Sequence, residues 1–343
     1  MKICITGGGT GGHLMIAEVL AKAAVENGHE LIFIGSTHGQ DRKYFGDRSH
    51  FSNVYFLETT GVVNQNGFKK LLAFYKVIRG FFQARSLLKR HKIKAVYSVG
   101  GFSAAPASFA SLSCLIPLFI HEQNAVYGRL NTLLKPLAKS FISAYDKESE
   151  IQGYPVKEIF YKRARVRSKL KTILFLGGSH GAKAINDLAL SVAKDLYNAG
   201  IKILHQAGEA DFERVSSAYK ALDIEVELYS FTTELASLIE QADLAVSRAG
   251  ASTLWELTTN GCPGFYVPYP YAAGDHQYYN AAFIVENKMG WCVREGDALQ
   301  VKLLEALTKL NLEEKSKKLI AHANRDVATK MIQALEKRVY NAS

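Results

Sequence analysis

Four short stretches hold residues whose types and spacing could do chemistry. The first, "TGGGTGGH", runs from Thr6 to His13 behind an apolar stretch at Ile3–Thr6. Glycines at a strand-to-helix turn let backbone approach a phosphate, and Gly7, Gly9 and Gly12 satisfy G-x-G-x-x-G. A dinucleotide site also wants an acid at the end of the second strand, which here ends "IFIGSTHG" without one. His13 falls in the first turn of the next helix, on the side where open α/β sheets bind ligands. The positive helix end disfavours imidazolium and leaves a neutral imidazole able to accept a proton. The plainer alternatives are a tight turn for the glycines and a helix-end hydrogen bond for His13.

The second stretch, "GGSHGAKAIND", presents the N–H groups of Gly178 to Gly181 and the Ser179 hydroxyl at a helix N-terminus, which suits a phosphate or pyrophosphate. It lacks the G-K-[ST] ending of a nucleoside-triphosphatase loop. The third is "SRAGASTLWELTTNGCP". Thr253 and Glu256 fit a T-x-x-E capping box; alternatively Glu256 sits on the first helical turn and accepts two hydrogen bonds from ribose hydroxyls. The fourth, "YAAGDHQYYNAAFIVENKMG", gathers Asp275, His276, Gln277 and Asn280 before a helix. They either read sugar hydroxyls or cap that helix through Asp275. No D-x-D occurs, so the paired carboxylates that would hold a divalent metal on a sugar diphosphate are missing, and no metal or cofactor is expected.

Alternating strands and helices must position these stretches. Strands are predicted at Ile3–Thr6, Leu31–Ile34, Ala95–Val99 and Leu118–His121, with a helix over Ala17–Asn27 closed by Gly28. The scheme restarts at Ile173–Leu176 and continues through Ile201–Gln206, Val226–Leu228, Leu244–Ser247 and Gly264–Val267. Alternation of this kind means parallel sheets covered on both faces, and two glycine-loop starts mean two doubly wound α/β domains. The basic "YPVKEIFYKRARVRSKLK" between them reads as a hinge. Val327–Val339 is helical in pattern and could pack on either domain.

The chain of 343 residues carries a net charge of +10, unevenly spread. No carboxylate occurs from Thr59 through His121, while nine Lys/Arg lie between Lys69 and Lys94. An anionic partner for the first half follows, with nucleic acid and membrane surface the two candidates. The four cysteines are far apart, without metal-site or disulfide spacing, which fits a reducing cytosol. Residues 95–120 are uncharged, but glycines and prolines divide them into loop, small-residue helix and strand, so they are read as core.

In order along the chain, "GGTGGH", "GGFSAAP", "HEQNAVYGRLN", "GGSHGAKAIN", "HQAGEADF", "SRAGASTLWE" and "GDHQYYNA" resemble one family. It is that of the UDP-N-acetylglucosamine:N-acetylmuramyl-(pentapeptide) pyrophosphoryl-undecaprenol N-acetylglucosamine transferases (MurG). The resemblance implies a GT-B fold of two Rossmann-like domains facing across a cleft. It divides the chain into an acceptor domain, 1–155, and a donor domain, 156–326, with a final helix, 327–343, returning to the first. It also implies an inverting, metal-independent transfer from UDP-N-acetylglucosamine to the 4-hydroxyl of undecaprenyl-pyrophosphoryl-N-acetylmuramyl-pentapeptide, at the cytoplasmic face of the inner membrane.

Residue by residue, the resemblance makes His13 the base and brings Thr10, Gly11 and Gly12 to the donor. Asn124 lines the cleft and Ser179 binds phosphate. Ala251, Ser252, Thr253, Leu254, Trp255 and Glu256 hold uridine and ribose, and Gln277 meets the N-acetylglucosamine hydroxyls. The chain departs from the family at His180, where glutamine is usual, at Ile16 for proline, and at Tyr154 and Lys157 in "GYPVK" for "GNPVR". Lysine supplies a point charge where arginine supplies a fork.

Membrane association would use the segment in which Leu71, Tyr75, Ile78 and Phe82 share a helical stripe. Phe74 and Phe81 lie beside it, with Lys69, Lys70, Lys76 and Arg79 around. The plainer reading is a helix packed on its own sheet. Nucleic acid is not expected, since no binding module accompanies the charge. The rival functions are another two-domain UDP-sugar enzyme such as an epimerase, an NAD(P)-dependent oxidoreductase, and a nucleotide-sugar binder without catalysis.

Overall fold

The computed structural model describes the chain apart from residues 47–49, 62–66, 178–181, 297 and 342–343, and apart from the side chains of residues 68–70. It divides into two compact units, Met1–Val156 with Asp326–Ser343, and Lys157–Arg325.

Unit 1 opens with β1 (Lys2–Thr6), α1 (Gly11–Glu26), β2 (Glu30–Ser36), α2 (Asp41–Phe45) and β3 (Asn53–Leu57). It continues with α3 (Gly67–Arg90), β4 (Ala95–Ser98), α4 (Ala105–Ser113), β5 (Leu118–Glu122), α5 (Arg129–Leu134) and β6 (Ser140–Ser143). Unit 2 follows with α6 (Glu158–Lys162), β7 (Thr172–Leu176), α7 (Lys183–Asn198), β8 (Lys202–Gln206), α8 (Phe212–Ala221) and β9 (Glu227–Tyr229). It ends with α9 (Leu235–Gln241), β10 (Leu244–Ser247), α10 (Ala251–Asn260), β11 (Gly264–Tyr266), α11 (His276–Glu286), β12 (Trp291–Cys292), α12 (Leu299–Thr308) and α13 (Leu312–His322). The last helix, α14 (Val327–Tyr340), belongs to unit 1 and packs on α1.

Each unit holds a six-stranded parallel sheet, in order β3-β2-β1-β4-β5-β6 and β12-β11-β10-β7-β8-β9. Counted from its own first strand, each winds 3-2-1-4-5-6, so the order reverses beside β1 and β4 in unit 1 and beside β7 and β10 in unit 2. The central strands are apolar without alternation because both faces are covered: Ile3, Ile5, Phe33 and Val96, like Ile173, Phe175 and Val246, have no exposed surface. On one face of the first sheet, Cys4, Ile32, Val96 and Ile120 pack with Ala84, Leu88, Ala107 and Ala110 of α3 and α4. The equivalent first helices end alike. Gly28 (φ +76°) and Gly200 (φ +70°) enter the left-handed region, and the next N–H groups, of His29 and Ile201, return to Ala24 and Leu196 at 3.0 and 2.9 Å.

Several expectations are corrected. The first helix starts at Gly11, not Ala17, because Thr10 is extended (φ −131°) and ends the loop there. β3, β6 and β12 were not foreseen; all lie toward sheet edges and β12 has two residues. The units divide at Val156–Lys157, within the segment read as a hinge, but that segment is packed rather than solvated: Tyr154, Phe160 and Tyr161 are buried and Arg167 is fully so. Its guanidinium donates to the carbonyls of Ala242 (3.0 Å), Ile239 (2.9 Å) and Asn260, where α9 and α10 end. Its other two N–H groups donate to Arg165 O (2.7 Å) and the Asn260 side-chain oxygen, so all five donors are met and the burial is tolerable. Residues 95–120 fold as strand, helix and strand, and no helix among the described residues is long and apolar enough to cross a membrane.

Candidate functional site

In unit 1 the loops after β1 and β4 meet beside the reversal of strand order. The Gly8 N–H donates to Gly100 O at 3.1 Å, and a Cβ on Gly101 would lie 2.1 Å from Gly8 O, so only glycine admits this approach. Thr10 precedes α1 without capping it through its side chain; instead its hydroxyl lies 2.8 Å from His13 Nδ1. The first-turn N–H groups of Gly11 and Gly12 have no acceptor within the helix. Gln123 Nε2 lies 2.9 Å from His13 Nε2. The same nitrogen is 3.3 Å from Nδ1, so the amide rests over the imidazole rather than along one lone pair, and the Thr10 contact bears on the tautomer: with Nδ1–H donating to that hydroxyl, Nε2 is the acceptor. A substrate hydroxyl reaching Nε2 in the ring plane would meet that lone pair.

Beneath lies His121, buried, with no hydrogen-bond partner among the described residues at either ring nitrogen and Tyr154 edge-on at 5.6 Å between centroids. Burial, and secondarily His13, lower its pKa to about 3, so it is neutral. Glu122 orders the next turn. Its carboxylate accepts the N–H groups of Asn124 (3.0 Å) and Gly128 (2.9 Å) and the Asn131 amide (2.8 Å). Burial raises its pKa against those bonds. Asn124, partly exposed, thus has a fixed backbone. Sequence reasoning singled out Asn124 and missed Gln123 and Glu122; their signal was the quoted "HEQN".

In unit 2, β10 feeds α10 through Gly250, which occupies the N-cap position. The capping box is therefore overturned: Thr253 is the third residue of the helix, with no side-chain cap, and Glu256 lies in the second turn rather than the first. Glu256 is buried at 7% exposure and receives no hydrogen bond from a described residue. Burial lifts its pKa to about 8, opposed by the Lys157 charge. A buried carboxyl without donors is the kind of group a ligand's hydroxyls would satisfy. Ala251 is buried, Ser252 and Thr253 are half-exposed, and Leu254 and Trp255 are packed inward, Trp255 stacking on Phe283 at 5.5 Å. The last two can offer a ligand only backbone. Ser179 and its loop lie outside the described residues.

Asp275 stands at the N-cap position of α11, as one of the two readings had it, but its side chain does not cap the helix. It is left-handed (φ +56°) and pairs with Arg294 at 2.6 Å. Gln277 accepts the Tyr269 N–H at 3.0 Å through Oε1, which leaves its NH2 as the donor end. Asn280, buried on the same helix, donates to Ala249 O at 3.2 Å and ties α11 to the turn before α10. Arg248, not singled out from sequence, pairs with Glu295 at 2.7 Å and lies over the Tyr269 ring at 5.4 Å. Among the described residues no three His, Cys, Asp or Glu side chains could hold a metal ion together.

Known proteins resemble this arrangement over its whole length. Residues 3–143 match the glycosyltransferase family 28 N-terminal domain, and residues 172–339 the family 28 C-terminal domain. A protein of Sulfurimonas denitrificans is 64% identical over 97% of both chains. It is named UDP-N-acetylglucosamine--N-acetylmuramyl-(pentapeptide) pyrophosphoryl-undecaprenol N-acetylglucosamine transferase. One of the same name from Wolinella succinogenes is 52% identical over 96% of this chain and 98% of its own. The chain belongs to this transferase family. Among solved structures, that of Acinetobacter baumannii MurG superposes with a TM-score of 0.80 at 27% identity, covering 98% of this chain and 99% of that one.

The transferase also carries an unpartnered apolar helix face. On α3, Leu71, Phe74, Tyr75, Ile78 and Phe82 are exposed, from 40% at Ile78 to 68% at Leu71. Phe81 turns inward onto the core. Folding changes the charge pattern around them. Glu58, just before the acid-free stretch, pairs with Lys76 at 2.8 Å and approaches Arg79 at 3.8 Å. Lys69 and Lys70 have no described side chains.

Proposed function

We propose that this transferase moves N-acetylglucosamine from UDP-N-acetylglucosamine to the 4-hydroxyl of the muramyl unit of undecaprenyl-pyrophosphoryl-N-acetylmuramyl-pentapeptide, the lipid I to lipid II step of peptidoglycan synthesis. The observation that carries the reading is 64% identity, over nearly the whole of both chains, to a relative bearing that activity in its name. The acceptor oxygen attacks the anomeric carbon from the face opposite the leaving phosphate. His13 Nε2 takes the hydroxyl proton as the new C–O bond forms, the old one breaks, and UDP departs with the electron pair. Thr10 holds the imidazole in its tautomer, and the N–H groups of Gly11 and Gly12 meet the donor.

On the donor side, the uridine ribose donates two hydroxyls to Glu256 and the Gln277 amide reads the sugar hydroxyls. Ala251 to Trp255 supply the backbone around the base, Ser179 and its loop bind phosphate, and Asn124 lines the acceptor side. Oriented N–H groups, rather than a metal, compensate the leaving pyrophosphate. Leu71, Phe74, Tyr75, Ile78 and Phe82 enter the interface of an anionic membrane, with Lys69, Lys70 and Arg79 at the headgroups and Phe81 as their inner anchor. Lys76 serves chiefly Glu58. The enzyme is thus peripheral, at the cytoplasmic face of the inner membrane.

One assay tests the reading: incubation with labelled UDP-N-acetylglucosamine, the lipid acceptor and EDTA, following label into lipid. Label confined to UDP-sugar or released as free sugar would reject it.

A further inference from the structure

Asp41 has no part in the reaction above, yet it sits at the centre of the first glycine loop. It opens α2, has no exposed surface, and directs both carboxylate oxygens at backbone. Oδ1 accepts the Gly9 N–H at 2.5 Å and Oδ2 accepts the Ser36 N–H at 2.8 Å. A Cβ on Gly8 would lie 2.6 Å from Oδ1, and one on Gly35 would lie 2.9 Å from Oδ2, so the carboxylate fits only because its neighbours are glycines. Successive N–H groups in a glycine loop form a cradle that ordinarily takes a ligand's phosphate. Here the Gly9 donor is spent on Asp41 and the Gly8 donor on Gly100 O.

We infer that Asp41 fills the anion seat of the first glycine loop, closing Gly8 and Gly9 to the donor's pyrophosphate and fixing Thr10, and through it His13, for proton transfer. Asp41 is a positioning residue. Gly9 precedes Thr10, whose hydroxyl holds His13 Nδ1 at 2.8 Å, so the restraint on Gly9 reaches the imidazole through two short links. Aspartate suits the seat because both oxygens accept. Asparagine would turn its NH2 against one of the two N–H donors, and glutamate would add a methylene to a filled space. The effect on His13 rests on its proposed role as base; the closure of the loop does not.

The two parts are tested separately. In the wild-type enzyme, labelling glycine pairs with 13C′ and 15N isolates the amides of Gly8, Gly9, Gly12, Gly101 and Gly178. On titration with UDP, Gly8 and Gly9 should stay within the noise of the spectrum; a saturable shift of the Gly9 amide as large as that of Gly178 overturns the closed loop. For Asp41→Asn, kcat should fall about 10²-fold while KM for donor and the Kd for UDP stay within about twofold. The His13 ring resonance should move with it. A rise in donor KM with kcat unchanged overturns the positioning role, as does unchanged turnover. Normal turnover in His13→Ala with unmoved Gly8 and Gly9 amides would sink the base and leave the closed loop standing.

Discussion

The two units wind their sheets identically, yet a buried carboxylate of the second, Glu256, is treated unlike its counterparts in the first. In unit 1, Asp41 and Glu122 are met by backbone N–H groups and, at Glu122, by the Asn131 amide. In unit 2, Asp243 likewise accepts the N–H groups of Lys171 (2.8 Å) and Thr172 (3.0 Å), whereas Glu256, also buried, meets no donor among the described residues. Burial raises the pKa of Asp41, Glu122 and Glu256 alike, so an upward shift does not by itself separate scaffold from site. The hydrogen bonds do: carboxylates satisfied by backbone hold loops, and the proposed ribose contact falls on the one left without donors. Unit 1 should therefore control turnover, and unit 2 donor affinity.

The largest effect that could break this division is at His13. His13→Ala should lower turnover about 10²–10⁴-fold, with the Kd for UDP, measured by calorimetry, within a few-fold of wild type. Near-normal turnover would remove the base from unit 1, and lost UDP affinity would blur the two units' roles.

Glu256 sharpens the comparison from the other side. Its folded pKa of about 8 lies above the ordinary 4.5, so its contribution to stability is complete below 4.5 and is lost as pH rises through 8. Glu256→Gln should consequently melt like wild type at pH 5 and be more stable at pH 9, by on the order of 2–5 kcal/mol, while donor KM rises. In the wild type, UDP affinity should increase toward pH 8, because the ribose hydroxyls bind the carboxylate and a proton must leave. Thermal melts at both pH values and titrations in buffers of different ionisation enthalpy check the two halves. A variant that loses stability at pH 9 would mean that Glu256 is structural.

The smallest effect concerns α3. Lys69→Glu with Lys70→Glu should weaken partitioning onto anionic vesicles by roughly 1 kcal/mol per lysine removed. Adding Phe74→Ser and Phe82→Ser should abolish it. Sedimentation with vesicles reads both, and unchanged binding by the fourfold variant would take α3 out of membrane association.

Much of this organisation was legible in the residues. Apolar strands ending in glycine turns placed the reversal point of each sheet, and with it His13 and the α10 segment. What escaped did so for physical reasons. A glycine at an N-cap position leaves no side-chain mark, so Thr253 and Glu256 imitated a cap they do not form. Arg167 reads as a solvated charge until the carbonyl ends of α9 and α10 converge on it. Glu58 lies one residue outside the acid-free stretch, yet in the fold it faces Lys76. Gln123 touches His13 across 110 positions of sequence, a separation no periodicity reports.

The return of α14 to unit 1 has a consequence for synthesis. The helix buries Val327, Met331, Ile332 and Leu335, packs on α1, sets Glu336 2.8 Å from His29 and pairs Arg338 with Glu150. All of Lys157–Arg325 must leave the ribosome before that cover exists. The first unit is born early but completed last, and α1 waits with a bare greasy flank while its sister unit is made.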